Sequence, residues 1–144
     1  MSKALNYLGI ARKGGGIETG EDNSSGLVKA GKARVLIVAS DTSEGAKRRA
    51  EGYVYETNTL LVEVPFTKDE IAGITGKSGC SMAAMTDLGL AAAFLKALAD
   101  ENGEAYSESY EQIKALQERI DKRKAVKSKS EGGRKMGIRR KKSV

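Results

Sequence analysis

Apolar residues recur along this chain at two spacings, and the spacing changes from segment to segment. Between Lys3 and Arg12, the residues Ala4, Leu5, Leu8 and Ala11 fall on one face of a 3.6-residue repeat, which predicts an amphipathic helix. Gly14 to Gly16 interrupt it as a tight turn, a short extended stretch follows at Ile17, and Glu21 to Ala30 reads as a second helix. Gly26 and the indifferent helix formers Asn23, Ser24 and Ser25 weaken that second helix, so it depends on packing. ARVLIVAS, 33–40, is an unbroken apolar run and predicts a buried strand. Asp41 with Glu44 reads as a capping box opening a helix through about Tyr53, with Lys47, Arg48 and Arg49 facing water. LLVEV, 60–64, predicts a second core strand, ended by the only proline, Pro65. Thr67 with Glu70 makes a clearer box for a short helix that Gly73 to Gly76 terminate. CSMAAM, 80–85, predicts a third strand, and Ala91, Phe94, Leu95 and Leu98 form the stripe of a long closing helix. Alternating helices and strands define an α/β class, and the arrangement expected is a three-layer αβα sandwich around a small sheet.

Beyond this alternation, Tyr106 and the stretch SESYEQIKALQERIDKRKAV that follows it space Tyr106, Tyr110, Ile113, Leu116 and Ile120 at intervals of four and three. That is an amphipathic helix with one apolar seam, over 104–126. Two partners are open to the seam: the preceding domain, or another chain through hetero- or self-association. The heptads are too few for a coiled coil. The expected division is thus a domain over 1–103, the helix over 104–126 and a tail over 127–144.

Composition suits one compact domain with an appendage: 144 residues, 40% hydrophobic and 31% charged. No apolar run approaches the roughly 18 residues that span a bilayer, and MSKALNYL lacks the pattern of a signal peptide, so a cytoplasmic protein without membrane contact is expected. Cys80 is the only cysteine and there is no histidine, which removes internal disulfides, the usual zinc ligand sets and His-based triads. Ser78, Cys80 and Ser81 cluster near Lys77, but a nucleophile there would need a lysine base, and a polar strand-entry loop explains them better. No catalytic residue, metal ligand or cofactor is assigned.

Charge changes the picture once it is located. Asp121 to Val144 holds eleven Lys/Arg against two acids, a net +9, which leaves −3 for the first 120 residues of a chain whose total is +6. A dense one-sign segment with little apolar content is expected to be disordered alone and to bind polyanions, with Lys122, Arg123, Lys124, Arg139, Arg140, Lys141 and Lys142 as phosphate contacts.

GGGIETGED, 14–22, invites comparison with phosphate-binding loops and fits none of them. It lacks the lysine of a P-loop, follows a helix where a strand is needed, and places Glu18, Glu21 and Asp22 where a phosphate would be repelled. Taken alone, it reads as helix capping by Thr19 or the carboxylates.

The order of motifs adds a different reading. LGIARKGGGIETGED, GKARVLIVASDTSEGAKRR, LLVEVPFTKDEIAGITGK and AAMTDLGLAAAF, in that order over about residues 3–98, resemble the ribosomal L7Ae/L30e family, in particular its small bacterial members. The resemblance implies an αβα sandwich that binds kink-turn RNA, a sharply bent duplex with sheared G·A pairs beside a bulge, and hence a ribosome-associated or other structured RNA partner. It implies that Gly20, Glu21, Asp22 and Asn23 face the RNA groove and that the loop of Gly76, Lys77, Ser78 and Gly79 covers the bulged nucleotides. A glycine allows close backbone approach, a helix start offers amide donors, and short polar side chains read base edges. Phosphates are then expected on Lys13, Lys32, Arg34 and Lys77. In one respect the chain departs from the pattern of the family it resembles: Asp22, Asn23 and Gly26 stand where RNA-binding members commonly carry Asn, Glu and, three residues beyond the Glu, Lys. The alternative is a protein-interaction module of the same fold that recruits through 104–126 while the tail binds anions without selectivity.

Overall fold

A computed structural model describes residues 2–76 and 81–134, with side chains through Arg123. The elements follow in the order α1 (Lys3–Lys13), β1 (Ile17–Thr19), α2 (Glu21–Lys29), β2 (Val35–Val38), α3 (Glu44–Val54), β3 (Leu60–Glu63), α4 (Lys68–Thr75), β4 (Met82–Met85) and α5 (Leu88–Asn102). A short 3₁₀ turn, Gly103–Tyr106, then leads into α6 (Ser107–Arg134).

The strands form one sheet in the order β1-β4-β2-β3. β2 pairs with β3 in parallel, while β4 runs antiparallel to both β1 and β2. β1, β2 and β3 therefore all run one way, and the sheet has two distinct ends. At the upper end Thr19, Val38 and Glu63 finish and Met82 begins; at the lower end Ile17, Val35 and Leu60 begin and Met85 finishes.

Every residue of β2 and β4 is buried, which is why both read as apolar runs without alternation. Their side chains divide by parity between two cores. Val35, Ile37, Ala83 and Met85 join Ala4, Leu8, Phe94, Leu95 and Leu98 on the α1, α4, α5 side. Leu36, Val38, Met82 and Ala84 join Val28, Ala46 and Ala50 on the α2, α3 side. The result is the expected three-layer αβα sandwich.

Local chemistry sets the helix starts. Thr67 and Glu70 form the predicted capping box, and Gly76 closes α4 in a left-handed conformation at φ 77°. The box read at Asp41 lies elsewhere: Ser43 caps α3, accepting from the Ala46 amide at 3.2 Å, because Asp41 is turned across to the Lys68 amide at 2.9 Å. Asp41 so ties the loop after β2 to the start of α4.

The seam of α6 is seated on the body of the chain. Ile113 is fully buried in the larger core, with Tyr106, Tyr110 and Leu116 packed against it. The Tyr106 hydroxyl donates to the Glu63 carbonyl at 2.7 Å, at the upper end of the edge strand β3. The helix continues past residue 126, to Arg134. Among the described residues no helix is long and apolar enough to cross a membrane.

Candidate nucleic-acid interface

α2, α3 and α4 each follow a strand that ends at the upper end, so all three present their N-termini there. Backbone amides without intrahelical acceptors make such an end electropositive. α3 and α4 spend theirs on side-chain caps, whereas α2 has none: its N-cap is Gly20, and neither Thr19 nor a carboxylate caps it. The first helical bond runs from the Ser24 amide to the Gly20 carbonyl at 3.0 Å, which leaves the amides of Glu21, Asp22 and Asn23 directed out of the helix end.

Gly20 makes that geometry possible. Its φ of 99° with ψ of 148° belongs to a region that side chains avoid, and its amide anchors the turn on the Met82 carbonyl at 2.9 Å. No atom lies within 4 Å of where a Cβ would be, so the backbone is open to approach. Asn23 holds the same turn, donating from Nδ2 to the Thr19 carbonyl at 3.2 Å, and remains exposed with its amide oxygen as an acceptor.

Glu21 is engaged rather than free. Arg49 of α3 grips it with two hydrogen bonds, Nε to Oε2 at 2.6 Å and Nη2 to Oε1 at 2.9 Å, and the Tyr53 hydroxyl donates to Oε2 at 2.5 Å. These donors, Arg49 foremost, hold the carboxyl at a pKa of about 2, well below the ordinary carboxylate range. The clamp neutralises one of the acids that would otherwise repel phosphate from the start of α2. Asp22 and Glu18 remain exposed.

The residues assigned from sequence divide between the two ends of the sheet. Gly20, Glu21, Asp22 and Asn23 are together at the upper end. Lys32 and Arg34 precede β2 at the lower end, where the Arg34 amide donates to the Met85 carbonyl at 2.7 Å. Lys13 closes α1 at the same end, since Gly16, three residues on, accepts from the Thr86 amide at 2.9 Å. β4 separates these groups by three residue steps, about 10 Å. Lys122 and Arg123 are exposed on α6. Lys124 is described only as helical backbone, and Lys77, Ser78, Gly79, Arg139, Arg140, Lys141 and Lys142 lie outside the described residues.

Three contributors escaped sequence reasoning. In the sequence Arg49 falls on a solvated helix face and Tyr53 at a helix end, because nothing in local spacing reports a partner 28 or 32 residues away. Arg12 packs its guanidinium over Gly76, whose Cβ would lie 3.5 Å from Nη2. Only the left-handed backbone of Gly76, hinted at by the glycines of GITG, was legible.

The four-stranded mixed sheet between helical layers gives the chain an αβα fold of the L7Ae-like class. The fold is shared with a protein of unknown function from Bacillus halodurans, at 20% identity and a TM-score of 0.59 over 68% of this chain and 98% of that one. It is shared also with the 15.5 kD RNA-binding protein of Giardia lamblia, at 15% identity and a TM-score of 0.51 over 67% of this chain and 82% of that one. These likenesses concern the fold alone. No family model matches the chain. In sequence it is 32% identical over 79 residues to the RNA-binding protein YlxQ of Enterococcus faecium, which covers 52% of this chain and 72% of the relative. The chain belongs to the YlxQ family.

Proposed function

We propose that this protein binds structured RNA of the kink-turn type, ribosomal or otherwise, without catalysing a reaction on it, and that the start of α2 reads the bend. The observation that carries the reading is the uncapped N-terminus of α2, reached through Gly20 and flanked by Asn23, in a member of a family whose named relative binds RNA. Three outward amides can meet phosphate or base-edge acceptors, while the exposed Asn23 amide offers a base-edge contact. The Arg49 and Tyr53 clamp supports the reading because it offsets the Glu21 charge beside the amides. It also makes Glu21 a positioning residue, since both of its oxygens are already bonded.

The alternative, recruitment of a protein through the seam of 104–126, is disfavoured because Ile113 and its neighbours are covered by the body. Gel shift on a kink-turn RNA and on a straight duplex of equal length, at matched salt, tests the proposal. Tighter binding of the kink-turn, lost in Asn23→Ala, is the expected result. Equal affinity for both RNAs, unchanged by Asn23→Ala, refutes it.

A further inference from the structure

α6 runs from the upper end, where Tyr106 meets Glu63, to the lower end, where a groove of about 580 Å³ opens between it and the turn before β3. Gln112, Ala115, Leu116 and Arg119 form the α6 wall, and Thr57, Asn58, Thr59 and Leu60 form the other. Positions 112, 115, 116 and 119 are one helix face, and the next residues on that face, at three and four beyond Arg119, are Lys122 and Arg123. Glu118 and Asp121 fall one before and two after Arg119, off that face.

The opposite wall is tied to further cations. The Leu60 amide donates to the Arg34 carbonyl at 3.1 Å and the Thr59 hydroxyl to the Ala33 carbonyl at 2.8 Å, which fixes the Lys32 to Arg34 segment beside the groove. The Arg34 Nε is buried and has no acceptor among the described residues. Tyr55, two residues before Thr57, is 74% exposed, and Glu56 between them is the acid of this turn. A run of cations, an exposed ring, and the amides of Asn58 and Gln112 are the three elements by which proteins hold unpaired nucleotides: phosphates on charge, a base on the ring, base edges on amides.

We infer that the lower end is a second RNA site, one that takes a single-stranded segment along Arg119, Lys122 and Arg123 with a base stacked on Tyr55. It rests on the RNA-binding reading but not on kink-turn selectivity, because it lies at the other end of the sheet from Asn23.

The test uses full-length protein and fluorescence anisotropy with an unstructured uridine octamer, titrated with salt. Replacing all three of Arg119, Lys122 and Arg123 by Gln should lower the log–log salt slope by about 2, at about 0.7 per phosphate on a single strand. Tyr55→Ala should weaken octamer binding about 5- to 100-fold with little change in slope, and Tyr55→Phe should restore it. Both sets of residues are exposed, so an unchanged thermal midpoint verifies that the fold is retained. The inference is overturned if the triple variant keeps the parent slope, if Tyr55→Ala binds the octamer within two-fold of the parent, or if the octamer is held no better than a straight duplex of equal charge. Preference for kink-turn over straight RNA, measured on the same variants, separates the two sites: its absence in the parent sinks the α2 reading and leaves this one standing, whereas its persistence beside unaltered octamer binding does the reverse.

Discussion

Ile113→Ala bears directly on where the folded unit ends. Among the described side chains of α6, Ile113 is the one that is fully buried, set among Leu95, Leu98 and their neighbours in the larger core. The substitution removes three carbons, about 2.4 kcal/mol at roughly 0.8 kcal/mol per buried methylene, and the cavity left behind adds to this. A loss of about 3–4 kcal/mol is expected, a large share of the roughly 5–15 kcal/mol that stabilises a domain. Ile113→Val, which removes one carbon, should cost about 0.5–1.5 kcal/mol. Urea denaturation followed by far-ultraviolet circular dichroism reads both values, with an unchanged m-value confirming that the native state is otherwise retained. The same measurement on fragments 1–103 and 1–123 locates the boundary: the longer one should unfold cooperatively near the stability of the full chain, and the shorter one should be much weakened. If Ile113→Ala falls within about 0.5 kcal/mol of the parent and 1–103 unfolds with full cooperativity, α6 is an appendage and the seam is free for a partner.

Gly26→Lys should strengthen kink-turn binding and raise its salt slope by about 0.7–0.9, since a Cβ there meets nothing within 4 Å and position 26 lies one turn from Asn23 on the exposed face; unchanged affinity in the gel shift would remove the phosphate from that face. Glu21→Gln should be less stable by about 1 kcal/mol at neutral pH, a figure kept low by solvent screening of the exposed Arg49, and the parent should lose this advantage as pH falls from about 4.5 towards 2. The sign follows from the depressed carboxyl: the unfolded chain takes up the proton first, so stability is full above the ordinary carboxylate value, and denaturation at stepped pH should show a flatter acid limb in the variant. Deleting Lys122 to Val144 removes eleven cations and should flatten the salt dependence of binding to any RNA that extends beyond the bend while sparing selectivity; equal slopes on a kink-turn RNA with an extended arm would deny the segment its role.

The architecture was legible wherever burial leaves a periodic trace. β2 and β4 are covered on both faces, and their unbroken apolar runs say so. α4 could be read from Thr67, Glu70 and Gly76 because all three act within one or two turns. The capping box at Asp41 failed for a reason local pattern cannot carry: an aspartate near a helix start can serve any amide in reach, and here the amide belongs to Lys68, 27 residues away. β1 showed only as an extended stretch, since three residues with one buried side chain hold too short a pattern, and its pairing with β4 is made by distant backbone. The seam of α6 was plain, but its partner was not, because an apolar stripe states that something must cover it and never what.

The site was legible in its residues and not in its geography. Gly20 and Asn23 could be marked from chemistry alone, and they do shape the start of α2. Lys13, Lys32 and Arg34 are near them in sequence, yet a strand or helix of only a few residues carries the chain from one end of the sheet to the other. The nine residues of α2 alone cover about 13 Å. The charge asymmetry along the sequence therefore becomes a spatial one with a direction: α6 descends along β3, its first twelve residues carry Glu108, Glu111 and Glu118 against Lys114, and from Arg119 onward cations outnumber acids, beside the lower-end groove. An RNA that touches only the α2 site gains nothing from Arg119, Lys122 or Arg123, and one that reaches both must extend beyond the bend. Substitutions at the two ends lie too far apart to share a partner atom, so their effects on such an RNA should add, whereas on a minimal kink-turn only those at the upper end should register.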